Sequence, residues 1–174
     1  TNSYTSGFTL NGQGYFVTCN RTNNFWRYNL QDDKWEKLPD LPVVNFLGSQ
    51  GRINAFVKNG KVYVVRTLNY KAELWEFNPV TATWIQKNDP PQDLNVTNNG
   101  NIGPYTVLNT DEFSLIGNNR KYSYDSVQDK WEEDLDFTQD FQGLTVKYGF
   151  YINDFIYINA SSSTGNVGLF KTER

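Results

Sequence analysis

Short runs of alternating apolar and polar residues follow one another along this chain, and the same order of runs returns four times. In the second occurrence, the runs 53–59 and 61–66 meet at an Asn-Gly pair, whose two residues tolerate positive φ and favour a tight hairpin. A third run, 73–77, leads through a turn into a fourth, 83–86. Because successive side chains of a strand point to opposite faces of a sheet, this pattern predicts a four-stranded antiparallel meander.

The same division applied to the other occurrences predicts two further four-stranded units and a last unit with only three strands. We expect these strands near 6–11, 14–19, 24–29 and 34–38, near 103–109, 112–117, 120–125 and 130–134, and near 146–152, 155–160 and 166–172. The outermost strand of the fourth unit is therefore missing from the pattern.

Each complete unit closes with an aromatic residue, then Asn or Asp, a polar turn, and a Trp seven positions after the aromatic. The three pairs are Tyr28 and Trp35, Phe77 and Trp84, and Tyr124 and Trp131. The period is 84 − 35 = 49 and then 131 − 84 = 47 residues, which is typical of propeller blades. We expect each Trp to lie on the outermost strand and to be buried between neighbouring blades, with Trp26 and Trp75 in the core as well.

The residues that follow the repeat aromatic, Asn29, Asn78 and Asp125, have short side chains that accept hydrogen bonds from backbone N–H groups two residues on. We therefore interpret them as Asx-turn residues and not as ligands. The single cysteine, Cys19, ends an apolar alternation and is predicted to be a small buried side chain.

The segments GFTLNGQGYFVTC and NFWRYNLQDDKWEKLPDLP resemble kelch repeats, in particular the divergent units of bacterial, Bacteroidetes-like cell-envelope proteins. The resemblance covers essentially the whole chain and implies an all-β fold, a kelch-type β-propeller forming a partial ring of about three and a half blades. The blades would span 5–38, 51–88, 101–135 and 143–174. The Gly-Gly doublet of kelch repeats is replaced here by Thr18-Cys19, Val65-Arg66, Ile116-Gly117 and Asn159-Ala160.

Charge and composition remove several classes of partner. The net charge is −3 and no long run of Lys or Arg occurs, so we expect no nucleic-acid partner. No apolar stretch reaches the roughly 18 residues of a membrane helix, so we expect no membrane insertion.

The chain begins at Thr1 and has no Met. A closed ring needs four to eight blades, and the fourth unit lacks its outermost strand. We therefore favour a segment of a six- or seven-bladed ring, with further blades from the same natural chain, over a complete four-bladed ring.

Histidine is absent, which removes Ser-His-Asp and Cys-His catalysis and the commonest zinc and copper ligand from these residues. We therefore predict no catalytic residue, no metal and no cofactor. The densest carboxylate group matches no spaced calcium loop and is interpreted as a solvated strand and loop. It consists of Asp129, Glu132, Glu133, Asp134, Asp136 and Asp140.

Long blade-to-blade connections, 39–50, 88–100 and 136–143, share one face of a propeller with the loops between second and third strands. Polar residues near these connections are the candidate binding residues. They are Arg21, Asn23, Arg52, Arg66, Asn69, Tyr70 and Lys71. The alternative is that each arginine pairs with a surface carboxylate, a contact of about 0 to 1 kcal/mol.

The favoured function is a non-catalytic module of an exported bacterial protein, in the periplasm, at the outer-membrane surface or secreted, that binds a protein or glycan ligand. A rival is a carbohydrate-active enzyme similar to the kelch sialic acid mutarotases, with Arg52 or Arg66 as the clamp for an anionic sugar. A third interpretation is a structural spacer.

Overall fold

A computed structural model of the chain describes residues 4–19, 22–42, 52–68, 71–91, 105–108, 113–117, 120–136, 145–162, 164–165 and 167–173. These residues form fifteen strands and no helix. The strands are β1 (Tyr4–Leu10), β2 (Gln13–Cys19), β3 (Phe25–Asn29), β4 (Lys34–Leu38), β5 (Arg52–Lys58), β6 (Lys61–Leu68), β7 (Lys71–Asn78), β8 (Thr83–Gln86), β9 (Tyr105–Leu108), β10 (Phe113–Gly117), β11 (Arg120–Asp125), β12 (Lys130–Asp136), β13 (Thr145–Ile152), β14 (Phe155–Ser161) and β15 (Val167–Glu173).

Every sheet is an antiparallel meander in which strands adjacent in sequence are adjacent in space. The first three sheets have four strands, β1 to β4, β5 to β8 and β9 to β12, and the fourth has three, β13 to β15. The all-β class and the sheet pattern predicted from the sequence are confirmed. The first two sheets belong to one compact unit and the last two to another.

The tight hairpins follow from their turn residues. Asn59 and Gly60 have φ values of 51° and 71°, and Asn11 and Gly12, at the matching position of the first sheet, have 50° and 74°. Two successive positive φ angles define the hairpin turn whose twist matches that of the flanking strands. The hairpin predicted from the Asn-Gly pair is confirmed.

The predicted Asx turns are also present in all three complete units. The Oδ1 atoms of Asn29, Asn78 and Asp125 accept hydrogen bonds from backbone N–H groups two residues on, at 3.0, 2.9 and 2.7 Å. Each turn therefore holds the repeat aromatic and the Trp on adjacent strands. Their rings lie 5.2, 4.9 and 4.9 Å apart in the three sheets.

The first two sheets pack face to face. The face of the first sheet that carries Tyr15, Val17 and Phe25 contacts the face of the second that carries Val64 and Phe77, and Cys19 is buried in the same cluster, as predicted. Phe25 bridges the two sheets, with its ring 4.8 Å from that of Phe77 and 5.1 Å from that of Trp84.

The third and fourth sheets have their own core. Ile116 of β10 clusters with Ile156, Ile158 and Ala160 of β14, and Tyr151 and Phe170 pack around them. The ammonium of Lys121 lies 5.8 Å from the ring centre of Tyr151. The face of the third sheet opposite Trp131 therefore packs against one face of the fourth sheet.

The predicted burial of the repeat tryptophans is wrong for Trp35, whose exposed fraction is 55%. Trp84 packs against the core of the first two sheets and Trp131 is half-buried. Trp75 is buried, whereas its counterpart Trp26 is only half-buried. The difference arises because the second sheet presents its Trp to the first sheet, while Trp35 lies on the opposite side of the first sheet from that interface.

Candidate binding face

The two ends of each sheet differ in the length of their connections. At one end, which we call the turn end, tight turns at 11–12, 30–33, 59–60, 79–82, 126–129 and 153–154 join the strands. At the other end, the loop end, lie the connections from second to third strands and from one sheet to the next. The longest of these span 39–51, 87–104 and 137–144. Much of them lies outside the described residues.

A hydrogen-bond cluster around Thr18 organises the loop end of the first sheet. Thr18 Oγ1 accepts from the N–H of Asn24 at 2.9 Å and donates to the carbonyl of Thr22, also at 2.9 Å. The carbonyl of Asn23 accepts from the N–H of Leu41 at 2.9 Å. The backbone at Asn23 is thus fixed from both sides, while its side chain is half-buried.

Arg66 lies inside β6, with an exposed fraction of 0%. Its Nε donates to Glu73 Oε2 at 3.0 Å, and Nη2 lies 2.9 Å from the same oxygen. Trp75 Nε1 also donates to this oxygen, at 3.1 Å, and the guanidinium lies 5.5 Å from the Trp75 ring centre. Among the described residues, Nη1 has no hydrogen-bond partner. The arginine pairs with a buried carboxylate, where the alternative interpretation expected a surface one.

Lys71, the first residue of β7, is an exposed cation at this end of the second sheet. Its ammonium lies 2.7 Å from Asp89 Oδ2, and this hydrogen bond raises the pKa of Lys71 above its ordinary value. Gln86 Nε2 donates to the other oxygen of Asp89 at 3.4 Å. A polar group therefore links the start of β7 to the segment that follows β8.

Of the predicted binding residues, Asn23, Arg66 and Lys71 are placed by the structure at the loop end. Arg52 begins β5, where its backbone pairs with Thr67, and its side chain is outside the described set. Arg21, Asn69 and Tyr70 also lie outside the described residues. The joint binding role of these residues stays a prediction.

Sequence reasoning missed Glu73 and Trp75 as partners of Arg66. The signal was the register of the hairpin: Arg66 and Glu73 are directly opposite on β6 and β7. Opposite residues have Cβ atoms close enough for an ion pair. Sequence periodicity identified the strands, but it did not identify this side-chain contact.

The carboxylates of β12 lie on an exposed strand. Glu133 pairs with Arg120 at 3.2 Å, and Asp134 pairs with Lys121 at 3.0 Å. Burial lowers the pKa of Lys121, but hydrogen bonds to Asp134 and Tyr151 outweigh it, so the pKa lies above its ordinary value. Over the ranges that the structure describes, no cluster of three or more His, Cys, Asp or Glu could hold a metal ion. Asp140 is outside these ranges.

These four meanders, each with tight turns at one end and longer connections at the other, fit the blades of a partial β-propeller. Residues 12–42 match the model of the Kelch motif. The fold is similar to the crystal structure of TolB from Acinetobacter baumannii, with a TM-score of 0.57 and 14% sequence identity over 98% of this chain. The chain spans 40% of the length of that TolB chain.

No curated protein matches this sequence. In the part of the chain that the structure covers, no helix is long and apolar enough to cross a membrane.

Proposed function

We propose that this chain is a non-catalytic propeller segment of an exported bacterial protein and that it binds a protein or glycan ligand at its loop end. The observation that carries this proposal is the difference between the two ends of the sheets. Short turns close one end, while the long connections and the polar groups of Asn23 and Lys71 are at the other. Long loops on a rigid scaffold are where recognition residues concentrate.

The match to the Kelch motif supports a binding role, and the resemblance of the sequence to envelope-type kelch units supports export. The environment of Arg66 favours a binding module over the mutarotase alternative. Its guanidinium is fully buried and its charge is paired with Glu73. An anion clamp needs a cation that the ligand can reach.

The test is to screen the chain against glycan and peptide libraries and then to measure affinities for the ligands found. The loop-end variant is Lys71→Ala combined with Asn23→Ala. The matched control is Lys34→Ala, which removes an exposed lysine at the turn end of the first sheet. We expect the loop-end variant to weaken binding by about tenfold or more and the control to leave affinity unchanged. Equal losses in both variants would contradict the proposal.

The enzyme alternative has a separate readout. The chain is added to a sialic acid anomer and the anomeric ratio is followed by NMR. Acceleration by the wild-type chain that is lost in Arg52→Ala would overturn the non-catalytic proposal. The spontaneous rate, unchanged in wild type and variant, is the expected result.

A further inference from the structure

Two hairpin turns at the turn end consist of an asparagine followed by a glycine. Asn11 and Gly12 join β1 to β2, and Asn59 and Gly60 join β5 to β6. All four residues are exposed. A Cβ atom built on either glycine would meet no atom within 4 Å, beyond its own chain neighbours, among the residues that the structure describes. The same pair of residues therefore lies in the same place in two repeats, within reach of water.

An Asn-Gly pair carries an intrinsic covalent reaction. The backbone nitrogen of the glycine attacks Cγ of the asparagine and closes a succinimide ring, while the side-chain nitrogen leaves as ammonia with the proton that the backbone nitrogen gives up. Water then opens one of the two carbonyl–nitrogen bonds of the ring. The product is an aspartate, or an isoaspartate whose backbone runs through the former side-chain carbonyl. Glycine favours the reaction because it has no side chain to shield the attacking nitrogen.

The geometry of the two turns holds the reacting atoms apart. The φ angles are 50° and 51° at the asparagines and 74° and 71° at the glycines, which is the pattern of a type I′ turn. This turn is the mirror image of type I, so the ψ angle of the asparagine is about +30°. At that ψ the glycine nitrogen lies nearly anti to the asparagine Cβ about the Cα–C bond. Ring closure needs these two atoms eclipsed, so the turn must open before the reaction can start.

Strand pairing keeps each turn closed. The pairing continues to the residues that flank the turns, Leu10 with Gln13 and Lys58 with Lys61. Leu10 and Val62, beside the two turns, are buried in the core of the first two sheets. Rotation of the asparagine ψ therefore requires the end of the hairpin to separate, and such local opening costs free energy.

The two products differ in their effect on a hairpin. Asp-Gly forms the same two-residue turn as Asn-Gly, so the aspartate product fits. Isoaspartate adds a carbon atom to the backbone between the paired strands. Because the length of the turn fixes the register of a hairpin, the isoaspartate product no longer matches the pairing of Lys58 with Lys61 or of Leu10 with Gln13.

We propose that Asn11 and Asn59 are sites of intramolecular deamidation that the folded hairpins suppress. Each site reacts only while its turn is open, and isoaspartate at either site weakens its own hairpin. The modification therefore accumulates in chains whose hairpins open. Both sites lie at the turn end, so this chemistry is separate from the binding proposed for the loop end.

Ageing of the full chain in mildly alkaline buffer, folded or unfolded in urea, tests the protection. Peptide mapping by mass spectrometry separates the asparagine, aspartate and isoaspartate forms at each site. We expect Asn11 and Asn59 to react at least about tenfold more slowly in the folded chain, as for a turn that is open less than about a tenth of the time. Asn153, in the matching turn of the fourth sheet, is followed by Asp154 and is the control for the glycine. In urea it should react more slowly than the two Asn-Gly sites.

Lys58→Pro opens one turn and leaves its Asn-Gly pair intact. Proline cannot donate a hydrogen bond to the paired strand, so Asn59 should react faster than in the wild type, while Asn11 in the same molecule keeps its rate. Circular dichroism checks that the variant folds. If it does not, Gln13→Pro makes the same test at the first hairpin, with Asn59 as the reference.

The isoaspartate effect has its own readout. Chains aged in urea are separated by product and refolded, and their urea unfolding is compared. Isoaspartate at position 59 should lower the midpoint, whereas Asn59→Asp should unfold like the wild type.

Three results would overturn the proposal. The first is equal reaction rates at Asn11 and Asn59 in the folded and the unfolded chain. The second is a folded proline variant in which the site beside the substitution reacts no faster than in the wild type. The third is a chain with isoaspartate at position 59 that is as stable as Asn59→Asp.

Discussion

The first and second sheets are built from the same repeat, yet the faces that carry the repeat aromatic and Trp differ in burial between them. In the second sheet Trp75 and Phe77 are buried and Trp84 packs against the core. In the first sheet Trp26 and Tyr28 are half-buried and Trp35 is exposed. The distance between the repeat aromatic and Trp is nearly the same in both, 5.2 and 4.9 Å. The repeat therefore sets the ring pair locally, while a neighbouring sheet determines whether the pair is buried.

The two faces also differ at their loop ends, in the residues that lie there and in how these residues are paired. The paired residues Val64 and Trp75 of the second sheet correspond to Phe16 and Trp26 of the first. Two positions nearer the loop end, Arg66 therefore corresponds to Thr18, and Glu73 corresponds to Asn24. The covered face holds a buried ion pair. The exposed one holds two short neutral residues, and the Thr18 hydroxyl bonds to the backbone N–H of Asn24 and to the carbonyl of Thr22.

The largest expected effect comes from breaking the buried ion pair. Glu73→Ala leaves the guanidinium of Arg66 buried without a counter-charge, so we expect the free energy of unfolding to fall by about 3 to 5 kcal/mol. Asn24→Ala, at the matching position of the exposed face, should cost about 1 kcal/mol or less. Urea unfolding at neutral pH measures both, and equal losses would contradict the comparison.

A double variant separates the charge from the packing. Replacing both partners, Arg66→Met with Glu73→Leu, removes the buried charges together and should recover most of the stability lost in Glu73→Ala. If the double variant is as unstable as Glu73→Ala, the loss comes from packing around Trp75 and not from the unpaired guanidinium.

Local features of this fold were predictable because they depend on residues close in sequence. The Asn59-Gly60 hairpin and the Asx turns at Asn29, Asn78 and Asp125 need only their own backbone. The strand alternation then fixes which residues share a face. For these reasons, the all-β class and the sheets could be predicted from the pattern of the sequence.

Contacts between sheets were not predictable in the same way. Trp35 and Trp84 close the same pattern of an aromatic residue, Asn, a turn and Trp, so nothing in that pattern indicates that one of them is exposed. Arg66 lies at a position where the alternation calls for an apolar residue, and its pairing with Glu73 depends on the register of β6 and β7. Among the candidate binding residues, Arg21, Asn23, Asn69 and Tyr70 fall between the predicted strands, where periodicity gives no information.

An intermediate effect is expected from truncating the same residue type on the two faces. Trp84 contacts Phe25 and Phe77 and donates from Nε1 to the carbonyl of Pro39 at 2.9 Å. Trp84→Ala should therefore lower the free energy of unfolding by about 3 kcal/mol. Trp35→Ala should cost below about 1 kcal/mol, since more than half of its surface is already in water.

Urea unfolding of both variants and the wild type is the measurement. Phe-for-Trp variants at both positions serve as controls that retain a ring. Equal losses of unfolding free energy in Trp35→Ala and Trp84→Ala would show that the exposed and the covered face do not differ in energy.

The smallest expected effect concerns the partly exposed ion pair of the first sheet, Arg27 with Glu36, in contrast to the buried pair of the second. Arg27 Nε donates to Glu36 Oε2 at 3.1 Å, and Asn29 Nδ2 donates to Oε1 at 2.9 Å. The hydrogen bond from Asn29, then that from Arg27, lower the pKa of Glu36 below its ordinary value. A carboxyl group whose pKa is lower in the folded state stabilises the fold above its ordinary pKa, and this contribution disappears as the pH falls through the folded value.

Glu36→Gln should therefore be less stable than the wild type at neutral pH, and the difference should shrink once the pH falls below about 4 to 5. Urea unfolding between neutral and acid pH measures it, and added salt should reduce the neutral-pH difference, because exposed charges are screened. Glu132→Gln, which removes an exposed carboxylate paired with Lys130 on β12, is the matched control. If the wild-type and Glu36→Gln curves stay parallel across this range, the hydrogen bonds to Glu36 do not contribute to the acid sensitivity of the fold.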